Sequence, residues 1–182
     1  MLTRTAAVAP VLFATVLLAS PTASATRPAH DYRVVFPFRI GAFSIDHHHY
    51  ATYRQAVRAF GKPSYRRPRS AVICSVTWRR AGLRLQFRSA SKPCSRAGIS
   101  TAHWVGATIL SRRWSVDRGV RVRDTVARIT RLYPKLAPPF HGRWELAFRY
   151  VTKPHTTSPA FITLYVTTRD GRIRKFQIDY EG

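Results

Sequence analysis

Apolar and polar positions alternate along this chain in a few distinct rhythms, and each rhythm predicts an element. Residues 6–19 form a largely apolar run, preceded by Arg4 and followed by Ala23-Ser24-Ala25. Charge, apolar run and small-residue site in that order are the pattern of a secretory signal peptide over residues 1–25. The run is shorter than the roughly 20 residues a membrane helix needs, and no later segment replaces it. Export is therefore expected, with a mature chain that starts near Thr26. Residues 26–33 read as a flexible leader.

Val34–Ile45 is β-branched and aromatic, interrupted by Pro37 and Gly41, and reads as a short edge strand or extended entry segment. A helix follows. Thr52 and Gln55 have capping-box spacing, and Tyr53, Ala56, Val57 and Phe60 fall on one helical face. Gly61 suits a left-handed cap, and Pro63 stops further winding. Val72–Trp78 is apolar on both faces, as in an inner strand. Arg79–Gly82 reads as a turn. Leu83, Leu85 and Phe87 then alternate with Arg84, Gln86 and Arg88, which predicts a strand with one packed and one wet face. A loop through Pro93 and Cys94 leads to a strand near Ala102–Leu110.

The same order recurs. Asp124 is placed to cap a second helix with Val126, Ile129, Leu132 and Tyr133 inward and Pro134 at its end. Trp144, Leu146, Phe148 and Tyr150 share one face of the next strand, and Phe161–Thr167 is another. Asp170-Gly171 makes a hairpin turn, and Arg174, Phe176, Ile178 and Tyr180 share a face of the last strand. The expected fold is α+β: two units, each a helix plus an antiparallel sheet, over residues 34–112 and 113–182. Aligning Phe60 with Tyr133 also brings Thr52 onto Thr125 in the first turn of each helix.

Composition sharpens this picture. Lys plus Arg number 31 against 8 Asp plus Glu, a formal charge of +23, and 26 of the 31 cations are Arg. Such a balance suits a polyanionic partner; scattered arginine and the absence of Asn also fit a compositional bias. Two cysteines in an exported chain predict one disulfide, Cys74–Cys94.

The stretch Gln55-Ala56-Val57-Arg58-Ala59-Phe60-Gly61-Lys62-Pro63 resembles the modules of the outer-membrane lipoprotein SmpA/OmlA group. Tandem copies of such modules occur in β-lactamase-inhibitor-like proteins. Gly119–Val126, running on to Tyr133-Pro134, is similar to the opening of a second module. The layout also looks like that of exported actinobacterial proteins. The resemblance implies an α+β binding module of the envelope or medium, with a sheet face able to hold a protein partner. The chain lacks the lipobox cysteine of the lipoproteins, so the resemblance does not extend to a lipid anchor.

Candidate chemistry is sparse. In Asp46-His47-His48-His49, His47 and His49 would share a face of an extended segment and supply two metal ligands; His30, His103, His141 or His155 would have to supply a third. A polar loop explains the same residues. No nucleophile elbow, phosphate loop or paired carboxylates are present, and the sequence implies no cofactor. Asp46, Asp124 and Asp170 are explained by caps and a turn. Trp78, Trp104, Trp114, Trp144, Tyr133, Phe148 and Tyr150 read as core. Lys62, Arg66, Arg67 and Arg69, with Arg84 and Arg88 on the wet face of a strand, are candidate polyanion contacts. They also suit a solvated loop. The expected function is a non-enzymatic binding protein for a protein or an anionic envelope polymer, with nucleic acid less favoured. A hydrolase or metal-dependent enzyme built on the His47–His49 region is the alternative.

Overall fold

Each strand that alternates in sequence finds its partner in one seven-stranded antiparallel sheet. The computed structural model describes residues 31–37, 39–45, 51–90, 92–152 and 159–181. The signal-peptide pattern, residues 26–30 of the leader, Asp46, His47, His49 and His155 lie outside the described residues. In chain order the elements are β1 (Val34–Val35), β2 (Arg39–Ile40), β3 (Phe43–Ser44), α1 (Tyr53–Phe60), β4 (Tyr65–Pro68), β5 (Ile73–Trp78), β6 (Leu83–Arg88), α2 (Arg96–Thr101), β7 (His103–Ile109), β8 (Ser115–Val116), β9 (Val120–Arg121), α3 (Val126–Leu132), β10 (Arg143–Thr152), β11 (Pro159–Arg169) and β12 (Arg172–Glu181). The main sheet runs β10-β11-β12-β7-β6-β5-β4. The mixture of helices and antiparallel sheets is the α+β class.

The pleat assigns its two faces. One ladder crosses the sheet as Val76, Leu85, Ala107, Ile178 and Leu164. These side chains are buried, and Ala56 of α1, Ile99 of α2 and Ile129 of α3 join them in a single core. The next ladder carries Arg67, Ser75, Gln86, Gly106, Asp179, Thr163 and Phe148 on the opposite face. A third, parallel to it, carries Tyr65, Thr77, Arg84, Thr108, Gln177, Tyr165 and Glu145. The second face is thus polar over most of its width.

Local signals shape α1 as expected. Thr52 accepts from Gln55 N and its own N–H donates to Gln55 Oε1 at 2.7 Å, completing the capping box. Gly61 ends the helix where expected but not as the expected left-handed cap: at φ +74 and ψ −165 it takes a glycine conformation outside the left-handed helical region. Phe60 then packs edge-on against Trp78 and Trp114 and approaches Phe43 at 6.1 Å, joining the small β1-β2-β3 sheet to the core. The Cys74–Cys94 disulfide is present and ties the loop before α2 onto β5. Asp170 and Gly171, both at positive φ, turn β11 into β12.

Several expectations are corrected. Val34–Ile45 is no single strand: it folds back twice, and Gly41 makes one turn at φ +57 where a Cβ would lie 2.4 Å from Asp31 O. The leader's last residues already belong to the fold, since Tyr32 packs edge-on against Trp114. The Lys62–Arg69 stretch is not all loop. Tyr65–Pro68 forms edge strand β4, where Pro68 and exposed arginines are tolerated. The Pro93–Cys94 loop leads into helix α2, capped by Ser95. Thr125, not Asp124, caps α3; Asp124 instead accepts from Arg121 N and pairs with Arg128.

Two β-bulges alter the expected faces. Leu146 is an extra residue between Glu145 and Ala147, so Phe148 and Tyr150 turn away from the core and are exposed. Arg174 is an extra residue in β12, so Ile173 rather than Arg174 joins Phe176 and Ile178 in the core. The four tryptophans are buried as expected.

Candidate functional site

The polar face is hollowed where β4, β5, β6, β7 and β12 meet. Its concavity has a volume of about 460 Å³ and is lined by Arg67, Pro68, Arg69, Ser75, Arg84, Thr108, Leu110, Lys175 and Gln177. Four of these carry positive charge and none carries negative charge. Strand alternation places Arg67 and Arg84 on this face, and antiparallel pairing of β12 with β7 brings Gln177 opposite Thr108. Among the described residues none of the four cations is ion-paired, whereas Arg39, Arg128, Arg143, Arg169 and Arg174 each have a carboxylate partner.

The edge of the hollow is braced. The phenol of Tyr65 is held below its ordinary value first by the neighbouring Thr77 side chain, then by Arg84 and Arg67, against desolvation. Arg79 lies over the Tyr65 ring at 5.0 Å. On the far side, Lys175 Nζ donates to Gln177 Oε1 at 3.4 Å, and Gln177 Nε2 donates to Asp179 at 2.9 Å. Arg143 pairs with Asp179 at 2.8 Å while lying 3.5 Å over the Tyr165 ring. Asp179 is therefore neutralised by Arg143, and its charge does not offset the hollow's.

Of the predicted polyanion contacts, the structure brings together Arg67, Arg69 and Arg84. Lys62 is exposed before β4, outside the hollow. Arg66 alternates to the other side of β4 and approaches the Tyr53 ring of α1 at 5.9 Å. Arg88 lines a second, more open concavity with Val72, Ser89, Ala90, Thr101 and His103. There burial, and secondarily Arg88, pushes the His103 imidazole below its ordinary value. Comparison with family models, with curated proteins and with solved structures finds no match. The site is therefore read from its own geometry. Sequence reasoning missed Lys175 and Gln177, whose alternation in β12 was readable but whose neighbour β7 was not.

For metal chemistry, no group of three His, Cys, Asp or Glu side chains is assembled among the described residues. His103 is half-buried in the second concavity, and His141 is exposed beside Phe140. No helix among the described residues is long and apolar enough to cross a membrane.

Proposed function

We propose that this chain is an exported, non-enzymatic binding protein whose polar sheet face holds an anionic polymer in the hollow. The observation that carries the reading is the convergence of Arg67, Arg69, Arg84 and Lys175 around one concavity without a lining carboxylate. Four cations on one concave wall reinforce one another's potential, so an anion gains far more there than over scattered surface arginines. Ser75 and Thr108 add hydroxyl donors to the same wall. Export is supported by the Met1–Ala25 pattern and by the disulfide.

The module reading inferred from the SmpA/OmlA resemblance has its own support. Thr52 and Thr125 each accept from the backbone N–H three residues on, and each forms an isolated bridge to the first residue of a later strand: His103 of β7 and Arg172 of β12. We read α1 with β4–β7 as one unit and α3 with β10–β12 as the other, sharing one sheet.

The test is polyphosphate binding across a salt series. The double variant Arg67→Ala/Arg84→Ala should flatten the slope of log K against log salt by roughly 1.4, about 0.7 per cation removed. The charge-matched variant Arg54→Ala/Arg131→Ala, on exposed helix positions, should leave the slope unchanged. Equal losses from the two variants would reduce the hollow to its share of net charge and overturn the proposal.

A further inference from the structure

The polar face changes character along its length. The ladder that begins at Arg67 in the hollow ends at Phe148 on the opposite edge strand. There the Leu146 bulge turns Phe148 and Tyr150 onto the polar face, 41 % and 73 % exposed, beside Phe161. Phe148 meets Tyr150 edge-on at 4.9 Å and Phe161 at 5.3 Å with a 37° tilt. From Arg84 to Phe148 is four inter-strand steps, roughly 19 Å. Between the two ends Gln177, Thr163 and the neutralised Asp179–Arg143 pair present no free cation, and Glu145 faces the same side next to Tyr165. Thr163 Oγ1 is buried on this path without a hydrogen-bond partner among the described residues.

We infer that the occupant is an anionic glycan whose charged groups are spaced by uncharged sugar rings, with its anion in the hollow and a ring edge against Phe148 and Tyr150. This rests on the anion-binding reading of the hollow and adds the ligand's class. Charge complementarity selects the orientation: four cations meet the anion at one end, and Glu145 disfavours a second anion at the other. Ring geometry selects the sugar. Perpendicular Phe148 and Tyr150 rings form an apolar corner that receives the C–H edge of a pyranose. Successive bases of a single-stranded nucleic acid would call for co-facial platforms along the path.

Three probes separate the possibilities: polyphosphate, which has charge without rings; sparsely sulfated dextran, which has both; and oligothymidylate, which has charge and bases. Phe148→Ala/Tyr150→Ala should weaken sulfated dextran roughly tenfold, the order of one lost ring contact, and leave polyphosphate unchanged. Arg67→Ala/Arg84→Ala should weaken both. Circular dichroism of each variant confirms that the sheet persists; Phe148 and Tyr150 are exposed, so the substitution leaves no cavity. Unaltered dextran affinity in the aromatic variant overturns the glycan assignment while the arginine result still stands. Tighter, Tyr150-dependent binding of oligothymidylate overturns it in favour of nucleic acid. If the arginine variant leaves polyphosphate binding intact, the anion reading itself fails.

Discussion

Replacing both Cys74 and Cys94 by alanine isolates the contribution of a single covalent link. The bond closes a segment of 20 residues. The entropy that such a loop removes from the unfolded chain corresponds to about 3 kcal/mol. For a chain of this length each kcal/mol is about 2–4 °C in Tm, so a fall of roughly 6–12 °C is expected. Urea denaturation followed by the fluorescence of Trp78, Trp104, Trp114 and Trp144, all buried, reads the change directly. The single variants add a second constraint. Cys74 is fully buried in β5, whereas Cys94 is only partly buried in the loop. If the link acts through the unfolded chain, Cys74→Ala and Cys94→Ala, each as a monomer, cost nearly the same relative to the oxidised parent chain, and reducing the parent chain reproduces that cost. A loss under about 1 kcal/mol in the double variant would refute the loop argument. So would a large cost for Cys74→Ala with little for Cys94→Ala, which would locate the effect in core packing.

Two further perturbations probe the elements that position the sheet. Thr52→Ala removes the oxygen that accepts from Gln55 N and should destabilise by about 1 kcal/mol, with Thr52→Ser retaining most of it; identical urea midpoints for all three would remove the cap from the account. His103 is held below its ordinary 6.5 by burial and then by Arg88, so acidification through that pH protonates the unfolded chain first. Stability present above pH 6.5 is therefore lost as pH falls, and His103→Gln should flatten that segment of the pH–stability curve; superimposable curves would show that His103 does not contribute.

Elements whose signals are local were legible in the sequence. The Thr52–Gln55 box, the helix end at Gly61 and the Asp170-Gly171 turn each depend on neighbours a few residues away, and each is found at its expected position, although Gly61 is extended in ψ and not the expected left-handed cap. Edge strand β4 was not legible, because Tyr-Arg-Arg-Pro has no buried alternation to show; its pairing with β5 makes it a strand. Helix α2 is short and buries only Ile99, so it leaves no apolar period. The bulges at Leu146 and Arg174 were hidden for a different reason. One extra residue is invisible until the partner strand's register is known, yet it reverses every face beyond it. That is why Phe148 and Tyr150 read as core and stand on the surface. The candidate site divides in the same way. Arg84 announced its wet face by alternation, whereas Lys175 became its neighbour only through β12–β7 pairing across distant parts of the chain.

That pairing has a mechanical consequence. β12 and β7 are joined by four residue pairs, from Phe176–Ile109 to Asp179–Gly106, and this short seam is the sheet's connection between its first four strands and its last three. Arg67, Arg69 and Arg84 stand on one side of the seam and Lys175 on the other. An anion engaged by Arg84 and Lys175 together is thereby a clamp across the joint. Its binding free energy adds to the work of prising the strands apart. Amide hydrogens along β7 and β12 would exchange more slowly in the liganded protein.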